Sequence, residues 1–346
     1  MKRLGSVIPT VTIRSVVGLS LVLCATWSGA ARAQEAPSCR VAQSERFVFY
    51  SDPWINLHHF LFQWARNLPE PLEGDRRPPV KILEADQLAG LPAEQRAAWT
   101  AALDLYREEL ASENMLFNDG LVRLRNALIA ADCGRLEGTA VDPDILDALA
   151  SAMPIYRAHW RDRHDQANRA WIAEQVALLQ SHEQALAERL EKAYDGAWPD
   201  QPVRLDVGFY GNWAGGYTTN GPDVVTLEGR SYPGLQGLEM IFHEVSHASF
   251  FEQPLKRDLS AAFAKLDQRR PNLLSHTIQF MTPAEILRAR LSEEERPDFD
   301  SAGEAVLTRG RMRNQYEAVR PHWQAYLSGE ITRTVALARI AESLGP

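Results

Sequence analysis

The run Leu238-Glu239-Met240-Ile241-Phe242-His243-Glu244-Val245-Ser246-His247 sets two imidazoles and a carboxylate in a His-Glu-x-x-His pattern within a largely apolar, helix-compatible stretch. On a helix, residues four apart project from one face about 6 Å apart. His243 and His247 can therefore offer ring nitrogens to one metal ion, with Glu244 beside it as a non-ligand. A zinc ion held this way lowers the pKa of a bound water, and the carboxylate takes the proton. Zinc is the expected ion: no cysteine lies near the motif, and two imidazoles suit hard magnesium or calcium poorly. Glu244 is then the expected general base.

These side chains need elements to hold them. Val203-Arg204-Leu205-Asp206-Val207-Gly208-Phe209-Tyr210 alternates apolar and polar residues, the pattern of a half-buried strand. Residues 211–216 read as a turn with Trp213 at its tip, and Tyr217-Thr218-Thr219 and Val224-Val225-Thr226-Leu227 as two further strands. A small antiparallel sheet is thus expected just before the motif helix. Short helices are expected after it, over 259–266, 271–280, 283–291, 301–327 with one break, and 332–344. Upstream, Arg46-Phe47-Val48-Phe49-Tyr50 is a short strand, and Ser51-Asp52-Pro53 is a helix start. The helix it starts, carrying His58 and His59, is apolar on most sides and so buried. Adjacent helical residues point about 100° apart, so these two histidines read as core or cleft-lining groups rather than joint ligands. Helical patterns follow over 92–111, 113–131, 142–153 and 154–194, the last allowing one break. The fold class is α+β, predominantly helical. Residues 34–197 form a mainly helical region with an N-terminal strand, and 198–346 a catalytic region, the two being compatible with one compact body.

A small sheet followed by a helix bearing His243-Glu244-x-x-His247 resembles the zincin metallopeptidases. That resemblance implies an edge strand along which a substrate backbone adds as a further strand, a role for the glycine-rich segment 210–219. The metzincin branch needs Gly at 250 and His at 253, where this chain has Phe250 and Gln253. The remaining resemblance is to gluzincins, in which a Glu on a later helix completes the ligand set. Glu285, in Thr282-Pro283-Ala284-Glu285, is the expected third ligand, although this is also a capping-box sequence. His276 is the alternative third ligand or an oxyanion donor. Tyr217 and Tyr210 are the other candidate donors, Tyr217 being counted with the catalytic set. The motif together with Asn56-Leu57-His58-His59 is also similar to a family of exported bacterial proteins, a likeness that implies no particular activity.

Residues 1–33 have a basic start, an apolar run over 16–25 and the small-x-small signal Ala31-Arg32-Ala33, the pattern of a cleavable signal peptide. A periplasmic or secreted protein is expected, with no stable membrane anchor after cleavage near Ala33. Removing the four cations of this segment takes the net charge from −8 to −12, which argues against nucleic acid as a partner. Two cysteines remain, Cys39 and Cys133, and in an oxidising compartment they are expected to pair. The sequence therefore points to an exported zinc-dependent peptidase or amidase acting on a peptide or protein substrate. The alternative is a non-catalytic protein of the same fold that binds a peptide or cell-wall fragment.

Overall fold

The computed structural model describes residues 38–346, apart from 71, 73–78, 137–140, 213, 220, 222, 295 and 346. The expected signal segment and Trp213 lie outside the described residues.

The chain opens with a hairpin, β1 (Arg40–Gln43) and β2 (Phe47–Tyr50). Phe47 and Phe49 alternate inward from β2 and are fully buried, as a period of two requires. Asp52 then caps α1 (Pro53–Asn67), accepting from the Trp54 and Ile55 N–H groups, with proline in the first helical turn. All fifteen residues of α1 are buried, so the helix is surrounded on every side. Around it lie α2 (Ala93–Glu109), α3 (Asp119–Ala130) and α4 (Pro143–His159). The break expected near residue 154 falls at Trp160 instead, because Pro154 is accommodated inside α4 and α5 (Arg161–Tyr194) begins after it.

Three strands follow, β3 (Val203–Gly208), β4 (Gly216–Thr219) and β5 (Val224–Glu228). The five strands form one sheet in the order β1-β2-β3-β5-β4. It is mixed rather than antiparallel: β2–β3 and β3–β5 pair in parallel, whereas β1–β2 and β4–β5 are antiparallel. The expected N-terminal strand therefore belongs to the same sheet as the strands before the motif, and residues 38–346 form one unit. Cys39 and Cys133 are joined in a disulfide that fastens the start of the described chain to the end of the α3 region.

The last third is helical: α6 (Gly234–Val245), α7 (Ser249–Ala264), α8 (Leu274–Arg290), α9 (Ala302–Leu307), α10 (Arg313–Leu327) and α11 (Arg333–Ser343). The sheet separates two apolar clusters. On one face Phe47, Phe49, Leu205, Val207, Val225 and Leu227 pack with residues of α5 to α11. On the other, Phe209, Tyr210, Tyr217 and Val224 join the core of α1 to α4. This division decides which side chains of the edge strand β4 can reach the motif helix.

Candidate metal centre

His243 lies in the last turn of α6, which ends inside the motif. The Ser246 and His247 N–H groups bond the carbonyls of His243 and Glu244 at 3.1 and 3.0 Å, a tightened closing turn. Ser246 Oγ also donates to the His243 carbonyl. His247 therefore stands just beyond the helix, yet its ring meets that of His243 edge to face at 5.0 Å. The third group comes from α8, where His276 stacks at 5.3 Å from His243 and lies 4.8 Å from His247. One ring nitrogen from each of the three residues falls within 4.8 Å of the other two. Phe280, one turn beyond His276, stacks on His243 at 3.7 Å and on His276 at 4.6 Å.

The electrostatics favour neutral rings. Burial, then the neighbouring His247 and His276, holds His243 well below the usual imidazole range. Burial and His247 bring His276 down to about 3. Neutral imidazole is the form that ligates metal. His243 Nδ1 is buried and makes no hydrogen bond; the Gln279 backbone acts on this ring only enough to oppose burial in part. Three converging neutral imidazoles are a donor set that suits a metal ion. His247 Nδ1 pairs with Glu252 Oε1 on α7 at 3.3 Å, leaving Nε2 as the nitrogen available to a metal. Lys256 holds the other Glu252 oxygen at 2.9 Å.

Glu244 is buried beside the cluster, and burial pushes its carboxyl up to about 7. Its side chain lies against β4 at Gly216, where an added Cβ would come within 2.8 Å of Glu244 Oε1 and 2.6 Å of Leu227 Cδ2. Two residues along, Thr218 Oγ1 donates to the Glu244 carbonyl. Gly216 and Thr218 thus face α6, and β4 is one of the two edge strands of the sheet, β1 being the other.

The structure brings together His243, Glu244, His247 and His276, but neither Glu285 nor Tyr217 joins them as expected. Residues 271–291 do not form two helices, because α8 runs from Leu274 through Pro283 to Arg290. Thr282 bonds back to the Ile278 carbonyl at 2.6 Å rather than capping a new helix. Glu285 is nine residues, about two and a half turns, beyond His276 and so faces away. It pairs with Arg288 at 2.8 Å. Tyr217 alternates to the opposite face of β4 from Gly216, where its hydroxyl meets His59 Nε2 at 2.8 Å and the Arg125 guanidinium lies 4.5 Å from its ring. The Tyr210 hydroxyl donates to Glu84 at 2.5 Å. His58 and His59 are core groups, His58 bonding Tyr106 at 3.1 Å and His59 the Tyr210 carbonyl at 3.0 Å.

Sequence reasoning missed Glu252, Gly216 and Phe280. Glu252 is only five residues beyond His247, too near to reach it on one continuous helix, but the chain turns at Ser246 and places Glu252 on the next one. Gly216 lay within the glycine-rich segment 210–219, and only the packing distinguishes it there.

No protein-family model, curated protein or solved structure matches this chain.

Proposed function

We propose that this protein is a zinc-dependent hydrolase of peptide or amide bonds, exported from the cell and resembling the zincins, with His243, His247 and His276 as ligands in place of the two-histidine, one-glutamate set. The observation that carries this reading is the convergence of three imidazole nitrogens within 4.8 Å beside a buried glutamate. A zinc ion held there would supply a Lewis acid and lower the pKa of a water beside Glu244. Glu244 is placed to accept a proton from the attacking water and to return it to the nitrogen that leaves when the carbon–nitrogen bond breaks, general base and then general acid. Glu252 fixes the orientation of the His247 ring through Nδ1, the usual part of a carboxylate behind a metal-binding imidazole. The backbone groups of Thr218 point away from β5 at the sheet edge, which supports substrate binding as an added strand beyond Gly216, whose carbonyl is bonded by Asn212. The Cys39–Cys133 disulfide supports an oxidising compartment.

The test starts from protein purified without added metal and analysed by plasma mass spectrometry. About one zinc per chain is expected, with His276→Ala losing it and Glu285→Ala keeping it. Retention by His276→Ala and loss by Glu285→Ala would return the third ligand to Glu285. For turnover, Glu244→Gln should keep zinc and lose cleavage of a peptide library. Equal cleavage by wild type and Glu244→Gln, or cleavage by neither, removes the hydrolase reading and leaves a zinc-binding protein.

A further inference from the structure

At the head of β4, Gly216 makes room for Glu244 while Gly215, at φ +79°, packs its open side against the Tyr232 ring. Gly215 and Tyr232 form one wall of a cavity of about 460 Å³, lined also by Asn212, Glu228, Arg230 and Ser231. Gly215 in the cavity wall immediately precedes Gly216, which packs against Glu244, so the cavity lies next to the start of β4.

Arg230 is held rigidly in the cavity wall. Its Nε donates to Glu228 Oε1 at 2.7 Å, and its guanidinium lies 4.4 Å from the Tyr210 ring and 4.9 Å from that of Phe209. Its side chain remains 29% exposed. Among the described residues nothing accepts from its two terminal amino groups. The neighbouring polar side chains are committed. Asn212 donates to the Gly216 carbonyl at 3.0 Å and accepts from the Ala214 N–H at 2.7 Å. Tyr232 donates to the Ala214 carbonyl at 2.8 Å. Glu228 is paired with Arg230 and lies against Gly211.

We propose that this cavity is a carboxylate-binding subsite, in which Arg230 receives an acidic side chain or the terminal carboxylate of a peptide lying along β4. The link to turnover rests on the hydrolase reading; the binding itself does not. A guanidinium fixed by stacking and by one ion pair presents a preorganised planar fork, which matches a carboxylate in two parallel hydrogen bonds. Glu228 cancels the net charge of the wall, so paired hydrogen bonds rather than bulk attraction do the recognising.

The test measures binding of three probes to the purified protein by calorimetry or NMR titration. N-acetylglutamate α-amide carries only a side-chain carboxylate, N-acetylglutamine only a terminal one, and N-acetylglutaminamide neither. One of the first two is expected to bind at least about tenfold tighter than the third, which also tells the two carboxylate sources apart. Arg230→Gln should reduce that preference to less than about twofold. Arg230→Lys, which keeps a cation but not the fork, should retain only part of it and guards against misfolding of the first variant. Equal binding of all three probes overturns the proposal. So does a preference that survives in Arg230→Gln, since the carboxylate is then held by a metal or elsewhere. An Arg230-dependent preference in a protein whose Glu244→Gln variant behaves as wild type would keep the subsite and discard the hydrolase.

Discussion

Gly216 and Glu244 compete for one volume, and the absence of a side chain on the first is what places the second. Gly216→Val would drive methyl groups into Glu244 and Leu227. We expect this variant to keep its zinc and to lose on the order of 10²–10⁴-fold in turnover, the usual contribution of a positioned acid–base group. Turnover within a few-fold of wild type would show that the contact does not position Glu244. Tyr217→Phe is the contrasting case. Its hydroxyl serves His59 behind the sheet, so turnover should stay within about twofold while stability falls by about 1–3 kcal/mol, the cost of a buried group left unpaired. A large loss of turnover with unchanged zinc and unchanged melting temperature would restore Tyr217 to the reaction. The motif triad was legible from residue type and spacing because its chemistry is local. Gly216 was not, since a glycine in a turn-rich segment and a glycine under a carboxylate look the same in sequence.

Helix ends and helix continuity arrange the site. Because α6 stops at Val245, His247 is held from α7 by Glu252. Glu252→Ala should weaken zinc binding by about 10–100-fold in a chelator competition, and unchanged affinity would make this pair incidental. Pro283 sits within α8 and, lacking an N–H, gives no hydrogen bond to the Gln279 carbonyl four residues earlier. Proline reads in sequence as a helix start or stop, which is why residues 271–291 suggest two helices and Glu285 a first-turn position. In the folded chain, Trp323 donating to Thr282 at 3.0 Å and the burial of nearly all of residues 274–287 hold α8 through it.

At the level of the whole molecule, the predominance of helix and the place of β2 to β5 were legible from periodicity, whereas β1 (Arg40–Gln43) and the strand neighbours were not. Pairing β2 with β3 in parallel joins residues more than 150 positions apart, and no local pattern encodes that register. Arg204 marks the joint: Nη2 contacts Asp52 at 2.8 Å and Asp206 at 3.0 Å. Burial pushes the Asp206 carboxyl up to about 7, against about 3.9 in an unfolded chain. The folded state thus binds more protons between about pH 4 and 7, and this group's contribution to stability is lost as pH rises through that window. In denaturant titrations with chelator present, Asp206→Asn should flatten the decline, and parallel profiles for the two proteins would refute it. The strand order also sets a clock. Synthesis from the N terminus at roughly 5–20 residues per second delivers β3 on the order of ten seconds after β2. Until then the Phe47 and Phe49 side chains lack their permanent neighbours, and the sheet that supports Glu244 cannot be assembled while the chain is still short of Glu228.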